Sequence, residues 1–385
     1  MFHTYDHVRI AGIRTAVPDV EISIEDELEY YGGSLKKVER TRKMVGMDKR
    51  RVCPVGVTAS DLCVHAAQEL LQDFPQWREN VDALIFVSQA PDWHQPATAC
   101  ELQHRLSLPK TCAAFDVNQG CAGFVYGLWL AGSLIESGAS RCVLLLVGDA
   151  QSLGRDARNR IMAPVFGDGG SATLLERQEN ATPMHFGLGT DGSGFEAIIS
   201  PAGKARIPFV REPERNVVCV EDIFDPSGNP WQLCDTYMDG GKVFTFTMDV
   251  VPQHILDTMA YAKTSAEELH WLVLHQANKQ IMENIATKTG FARHKVPIQA
   301  FSKFGNLAAA SIPSALCDTF GNTKTPGSML LCGYGIGLSW ASCVCRIDDW
   351  DCAPVLEYAT PKNQPNREAL IARWQRIIQG EEISS

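Results

Sequence analysis

Short apolar runs alternate with helical patterns along this 385-residue chain, and the alternation occurs twice. In the first half Val8–Ile13, Ala83–Ser88, Ala113–Val117 and Val143–Val147 read as strands. Asp61–Leu71, Thr98–Leu106 and Cys121–Ser137 read as helices between them. The second half gives helix over Lys242–Ala262, strand over Trp271–Leu274 and helix over Asn278–Thr289, with Gly290 as a left-handed stop. Ser328–Leu331 and Leu338–Ile347 follow as strands. Strands this continuously apolar are buried on both faces, which predicts an α/β fold of parallel or mixed sheets covered by helices. The halves share no strong letter-by-letter repeat, so a duplication is suggested by rhythm alone.

Each half contains a buried strand that runs into a helix with a reactive residue at the junction: Cys121 in the first, His275 in the second. Ligand sites in open α/β sheets gather at the carboxyl ends of strands, where both junctions would lie. A thiol at a helix N-terminus meets unpaired N–H groups and the positive end of the dipole, which favour thiolate. Asn306, after Phe304-Gly305, could equally hold a turn or supply a carboxamide donor.

Composition narrows the function classes. The chain is 45% hydrophobic with a net charge of −10, ordinary for a globular protein and opposed to general nucleic-acid binding. No stretch reaches eighteen uninterrupted apolar residues and the start lacks a secretory pattern, so no membrane span and a cytoplasmic location are expected. The thirteen cysteines lack framework spacing, and no zinc-type cluster occurs, so metal ligands are not expected. Basic residues cluster at Lys36–Arg51 and around His275, at Lys279, Lys288, Arg293 and Lys295. Lys279, Arg293 and Lys295 are candidates for docking an acidic or phosphorylated carrier; solvated helix faces are the plainer reading. Residues 200–235 carry five prolines and predict a long loop or small insertion. Near the end, Arg367–Gln379 places Leu370, Ile371, Trp374, Ile377 and Ile378 on one helical face, expected to pack back on the body.

Several motifs fit one family jointly. They are Ser-Gln-Ala-Pro-Asp (88–92), Phe-Asp-Val-Asn-Gln-Gly-Cys-Ala-Gly-Phe (115–124) and Phe-Gly-Asp-Gly-Gly-Ser-Ala (166–172). His-Gln-Ala-Asn (275–278), Gly-Asn-Leu-Ala-Ala-Ala-Ser-Ile-Pro (305–313) and Gly-Tyr-Gly-Ile-Gly-Leu-Ser-Trp (333–340) complete the set. Over residues 8–347 the chain resembles the thiolase superfamily, specifically β-ketoacyl-acyl-carrier-protein synthase III. The resemblance implies a five-layered α-β-α-β-α sandwich of two similar halves, here 1–180 and 181–348, followed by an extension at 349–385, and a homodimer. It implies catalytic Cys121, His275 and Asn306, with oxyanion N–H groups from Cys121 and Ile336. Gln95, Phe124 and Tyr334 are expected at the substrate pocket. Acyl-coenzyme A or acyl-carrier thioesters would be substrates, the carrier protein a partner, and no cofactor would be permanently bound.

The chain departs from the family pattern in three places. Arg40 and Met44 occupy the positions of a tryptophan and an arginine that flank adenine in acetyl-coenzyme A users. Gln95 replaces a bulky aromatic that would reach the pocket from a second copy. Ile336 interrupts a run of glycines, and a β-branched residue resists positive φ. These differences predict a specialised condensing enzyme. Acyl transfer to an alcohol or amine, or a non-catalytic partner subunit, are the alternatives.

Overall fold

The computed structural model describes residues 1–154, 156, 158–210, 213–362 and 367–380. Two sheets organise it. The first runs 351–352, 8–18, 169–177, 142–149, 83–87 and 113–117, with Leu356–Tyr358 also paired to Val8–Pro18. The second runs 2–5, 184–190, 339–347, 327–335 and 271–274.

The pairing repeats. In the first sheet Ala83–Val87 lies parallel to Cys142–Asp149, followed by antiparallel Gly169–Arg177 and Val8–Pro18. In the second, Trp271–Leu274 lies parallel to Gly327–Gly335, followed by antiparallel Ser339–Ile347 and Met184–Thr190. The chain ends cross between the halves. Phe2–Tyr5 pairs with Met184–Thr190 in the second sheet, and 351–358, expected in a separate extension, adds to the first.

Side-chain alternation explains the layering. Successive strand residues face opposite ways, so Ile85, Val87, Val143, Leu145 and Val147 share one core with Val273, Met329 and Leu331 of the other sheet. Between the sheets lie two helices, Gly123–Glu136 and Ser311–Phe320, whose Phe124, Leu128, Ile312 and Leu316 belong to that same core. Leu84, Phe86, Leu144 and Leu146 point outward onto helix Ala59–Asp73 and helix Thr98–Arg105. Leu272, Leu274, Leu330 and Cys332 point outward onto helix Gly240–Tyr261 and helix Lys279–Thr289. The result is helices, sheet, helices, sheet, helices: the five-layered α/β sandwich.

This topology corrects the equivalence drawn between Cys121 and His275. Each half places one buried helix just before its central parallel strand, Gly123–Glu136 in the first and Ser311–Phe320 in the second. Cys121 therefore corresponds in place to the approach to Ser311, while His275 follows the counterpart of Ala83–Val87. A second correction concerns the last helix, Arg367–Ile378. Its apolar face stays open, with Trp374 43% and Ile378 81% exposed, and its ring contact with the body is Trp374 on Trp93, 6.0 Å between centroids. Of the polar stretch expected ahead of it, 363–366 lies outside the described residues.

Candidate active site

Strand Ala113–Val117 delivers the chain to a turn in which Cys121 stands two residues ahead of helix Gly123–Glu136. The backbone of Gly327–Gly335 passes alongside. A Cβ on Gly335 would sit 2.9 Å from the Cys121 sulfur, and one on Gly333 would sit 2.8 Å from the Cys121 carbonyl oxygen. Glycine at both positions lets the central strand of the second half run against the thiol of the first.

His275 directly follows strand Trp271–Leu274, and its N–H donates to the Cys332 carbonyl at 2.8 Å. The Tyr334 ring stands edge-on to the imidazole, centroids 5.5 Å apart at 87°, and its hydroxyl donates to the His275 carbonyl at 3.3 Å. Only 2% of His275 is exposed. Burial drives its pKa down to about 3, with a hydrogen bond at the Ala308 backbone opposing the shift. The ring is consequently neutral at physiological pH, and its Nδ1 is buried with no protein partner.

Asn306 is pinned from both sides. Gly305, at φ +79°, ends helix Gln299–Phe304, a left-handed position that glycine adopts without steric cost. The Asn306 N–H then donates to the Val165 carbonyl at 3.0 Å, while its own carbonyl accepts from Gly167 N–H at 3.1 Å. Oδ1 accepts from Ala308 N–H at 3.0 Å and from the Ser311 hydroxyl at 3.5 Å. Ala308 sits at φ +47°, a region that L-residues seldom take, and the Asn306 side chain holds it there. With the oxygen committed, Nδ2–H is the group the carboxamide can present.

Cys121, His275 and Asn306 all line one cavity of about 320 Å³, walled by apolar side chains such as Val243, Phe244 and Ile281. A second chamber of about 260 Å³ shares Cys121, Phe166, Ile198 and Met238 with it. There Gln89, Gln151, Ser200, Lys204 and Thr236 join apolar side chains such as Met162 and Ile336. Much of that wall comes from residues 198–238. The expected loop there is pinned by short strand pairs, Ile198–Ile199 with Tyr237–Met238 and Ile223–Phe224 with Pro230–Trp231.

The remaining sequence expectations divide. Tyr334 lines the first chamber and Ile336 the second. Positive φ falls on Gly335 and Gly337, not on Ile336, so the β-branched residue is accommodated without strain. Phe124 is corrected: it is fully buried in the intersheet core and lines neither chamber, because its helix turns that position toward the sheets. Gln95 is exposed and also lines neither chamber within one chain. Lys295 is corrected as a docking residue. Its ammonium donates to the carbonyls of Ala266, Glu267 and Leu269 at 3.0, 2.9 and 2.8 Å, which uses all three protons. Arg293 is exposed and pairs with Glu283, whereas Lys279 lays its stem against Gly46 at the first chamber's mouth.

Sequence reading missed Asp149. Fully buried at the end of Cys142–Asp149, its carboxylate accepts from Gln89 N–H at 2.8 Å and Ala309 N–H at 3.1 Å. It thereby ties the turn beside Cys121 to the segment after Asn306, and burial pushes its pKa up to about 6. A lone carboxylate closing an otherwise apolar run was the available signal. All thirteen cysteines are outside disulfides, and among the described residues no cluster could hold a metal ion or helix cross a membrane.

Models of two parts of one enzyme family match this chain. Residues 115–192 match 3-oxoacyl-[acyl-carrier-protein] synthase III, and residues 259–347 match its C-terminal part. A Campylobacter jejuni protein provisionally named 3-oxoacyl-[acyl-carrier-protein] synthase 3 is 35% identical over 93% of this chain and 99% of its own length. A Rhodopirellula baltica β-ketoacyl-[acyl-carrier-protein] synthase III is 31% identical over 88% of this chain and 98% of its own. The crystal structure of a 3-oxoacyl-(acyl-carrier-protein) synthase from Burkholderia xenovorans superposes with a TM-score of 0.84 at 32% identity, covering 93% of this chain and 99% of that one. Its fold, its full-length relatives and the two matched regions, one spanning Cys121 and the other His275 and Asn306, place this chain in the synthase III family of condensing acyltransferases.

Proposed function

We propose that the protein forms a carbon–carbon bond between two thioesters, with Cys121 as the acyl carrier and His275 and Asn306 as the decarboxylation pair. The Cys121 sulfur attacks the carbonyl of an acyl-coenzyme A or acyl-carrier thioester, and the donor thiol leaves with the proton. A malonyl-type thioester then enters the His275 chamber and loses carbon dioxide. Negative charge develops on its thioester oxygen, where the imidazole N–H, turned from the Ala308 backbone, and the Asn306 Nδ2–H donate. The carbanion attacks the acyl-Cys121 carbonyl, and backbone N–H groups of Cys121 and Ile336 take the resulting oxyanion. Collapse breaks the carbon–sulfur bond and releases a β-ketoacyl thioester.

One observation carries this reading: three side chains distant in sequence share a single cavity, with the Asn306 oxygen occupied and the imidazole neutral. A histidine held near pKa 3 is a poor proton acceptor, which favours a hydrogen-bond donor over a general base for an alcohol or amine. The intact trio likewise argues against a non-catalytic subunit.

The mouth suits a carrier. Val45, Ala277 and Asn278 border the first chamber, joining helix Leu35–Val45 to the start of Lys279–Thr289. Lys36, Lys37, Arg40 and Lys43 stand exposed on the former helix, offering cations to an acidic carrier protein. In this reading Lys279 and the Leu35–Val45 helix receive the carrier, and the enzyme works as a cytoplasmic homodimer in fatty-acid or polyketide-type biosynthesis. The test is intact-protein mass spectrometry with acyl-coenzyme A and acyl-carrier donors, followed by carbon dioxide release from a malonyl thioester. An adduct on Cys121 and carbon dioxide coupled to it are expected. Failure to load Cys121 from any donor would overturn the proposal.

A further inference from the structure

The second chamber has no task in decarboxylation, yet it opens on the same sulfur. An acyl group on Cys121 must vacate the His275 and Asn306 side before an extender can enter it. The space left is the chamber lined by Gln89, Gln151, Ser200, Thr236 and Lys204. At about 260 Å³ it holds roughly eight groups of water size, taking ~30 Å³ each, which suits a short acyl chain.

Its lining mixes apolar side chains, Met162 and Ile336 among them, with polar groups that a hydrocarbon tail cannot satisfy. A saturated chain filling it would displace water from carboxamides and hydroxyls without replacing their hydrogen bonds, which is unfavourable. Gln151 is oriented by a hydrogen bond to buried Asp149, and Ser200 and Thr236 hydroxyls lie 2.9 Å apart on facing strand ends. Among the described residues of the wall Lys204 is the one permanent charge, and none is a carboxylate. A tight turn, with Gly203 N–H donating to the Ile207 carbonyl at 2.9 Å, presents Lys204 at the outer end. Among the described residues its ammonium meets the side chain of His94, Nζ to Nδ1 at 3.1 Å, which brings no opposing charge.

We infer that this chamber selects a short acyl group ending in a carboxylate, with Lys204 as its counter-charge and Gln151, Ser200 and Thr236 as polar contacts. The inference rests on the proposed acylation of Cys121. In that step the Cys121 sulfur bonds to the thioester carbon of a dicarboxylic acid monothioester. The old carbon–sulfur bond breaks, and the Cys121 proton leaves on the departing thiol.

The test compares two donors of one shape. Succinyl and 4-methylpentanoyl thioesters differ by a carboxylate against an isopropyl group, and each is supplied on coenzyme A and on acyl carrier protein. Acylation rates at Cys121 are read by intact mass. Succinyl is expected to load about tenfold faster in the wild type, a ratio that a single charge-assisted contact can supply. Lys204→Met should bring the ratio to one or below, and Lys204→Arg should keep it above one. Equal or faster loading of 4-methylpentanoyl by the wild type overturns the inference, as does a ratio that Lys204→Met leaves unmoved. Loading from aliphatic donors alone overturns it while leaving the condensing function intact. No adduct from any donor removes the function and this inference together.

Discussion

The two chambers that meet at Cys121 are built from different material. The His275 chamber takes its chemical groups from the framework: a strand end for His275, the pinned segment between two helices for Asn306, and long helices for its apolar wall. The Lys204 chamber takes much of its wall from the irregular 198–238 segment, held by two-residue strand pairs. Groups that must meet a transition state within tenths of an ångström sit on rigid elements, while those that choose a substrate sit on a segment free to vary. The contrast separates reaction from selection within one pocket system.

That separation can be attacked from several directions. Cys121→Ser removes the atom common to both chambers, and thioester adducts and coupled carbon dioxide release should fall together, by on the order of 10⁴ or more. Condensation surviving in that variant would remove the basis of the comparison. Asn306→Ala or His275→Ala strikes one chamber only. Carbon dioxide release should drop ~10²–10³-fold while Cys121 still accepts an acyl group. Equal loss of loading and decarboxylation would show that the chambers do not act separately. The pair Gln151→Leu and Thr236→Leu strikes the other, and should shift the ratio of aliphatic to carboxylated loading by about tenfold toward aliphatic.

The smallest effect concerns pH. His275 titrates near 3 in the native protein and near 6.5 when unfolded, so between those values the unfolded chain binds the extra proton. Stability should therefore decline as pH falls from about 6.5 toward 3. His254, held down to about 4 by burial, adds to the same slope. Urea midpoints across this range should decline less steeply in His275→Asn. Condensation should show no acid limb near pH 6.5 arising from His275, and a limb there that vanishes in His275→Asn would contradict a neutral, buried imidazole.

Much of the framework was legible because its strands are buried on both faces. Trp271–Leu274 and Ala83–Val87 emerge from apolar runs bounded by polar residues, and each is present within a residue or so. Ser311–Phe320 was overlooked because it is only ten residues long, carries Pro313 in its first turn and mixes Ser311, Ser314, Asp318 and Thr319 with its apolar residues. The residues gathered in the chambers were legible where a motif marked them. Others were not, since their meaning depends on partners far along the chain. Lys295 and Lys204 are the same residue type in basic surroundings; three carbonyls claim one, and an open chamber receives the other. Phe124 follows Cys121 by three positions, yet the helix carries it into the core.

The exchange of end strands has a consequence for synthesis on the ribosome. Residues 351–358 cover the margin of Val8–Pro18, and Phe2–Tyr5 awaits Met184–Thr190 before it can pair. Residues 351–358, translated after both halves, thus complete the sheet begun first, so a nascent chain halted between the halves carries an uncovered strand border and a Phe2–Tyr5 segment without its partner. Severing the polypeptide between the halves would yield two fragments that each lack a strand held by the other.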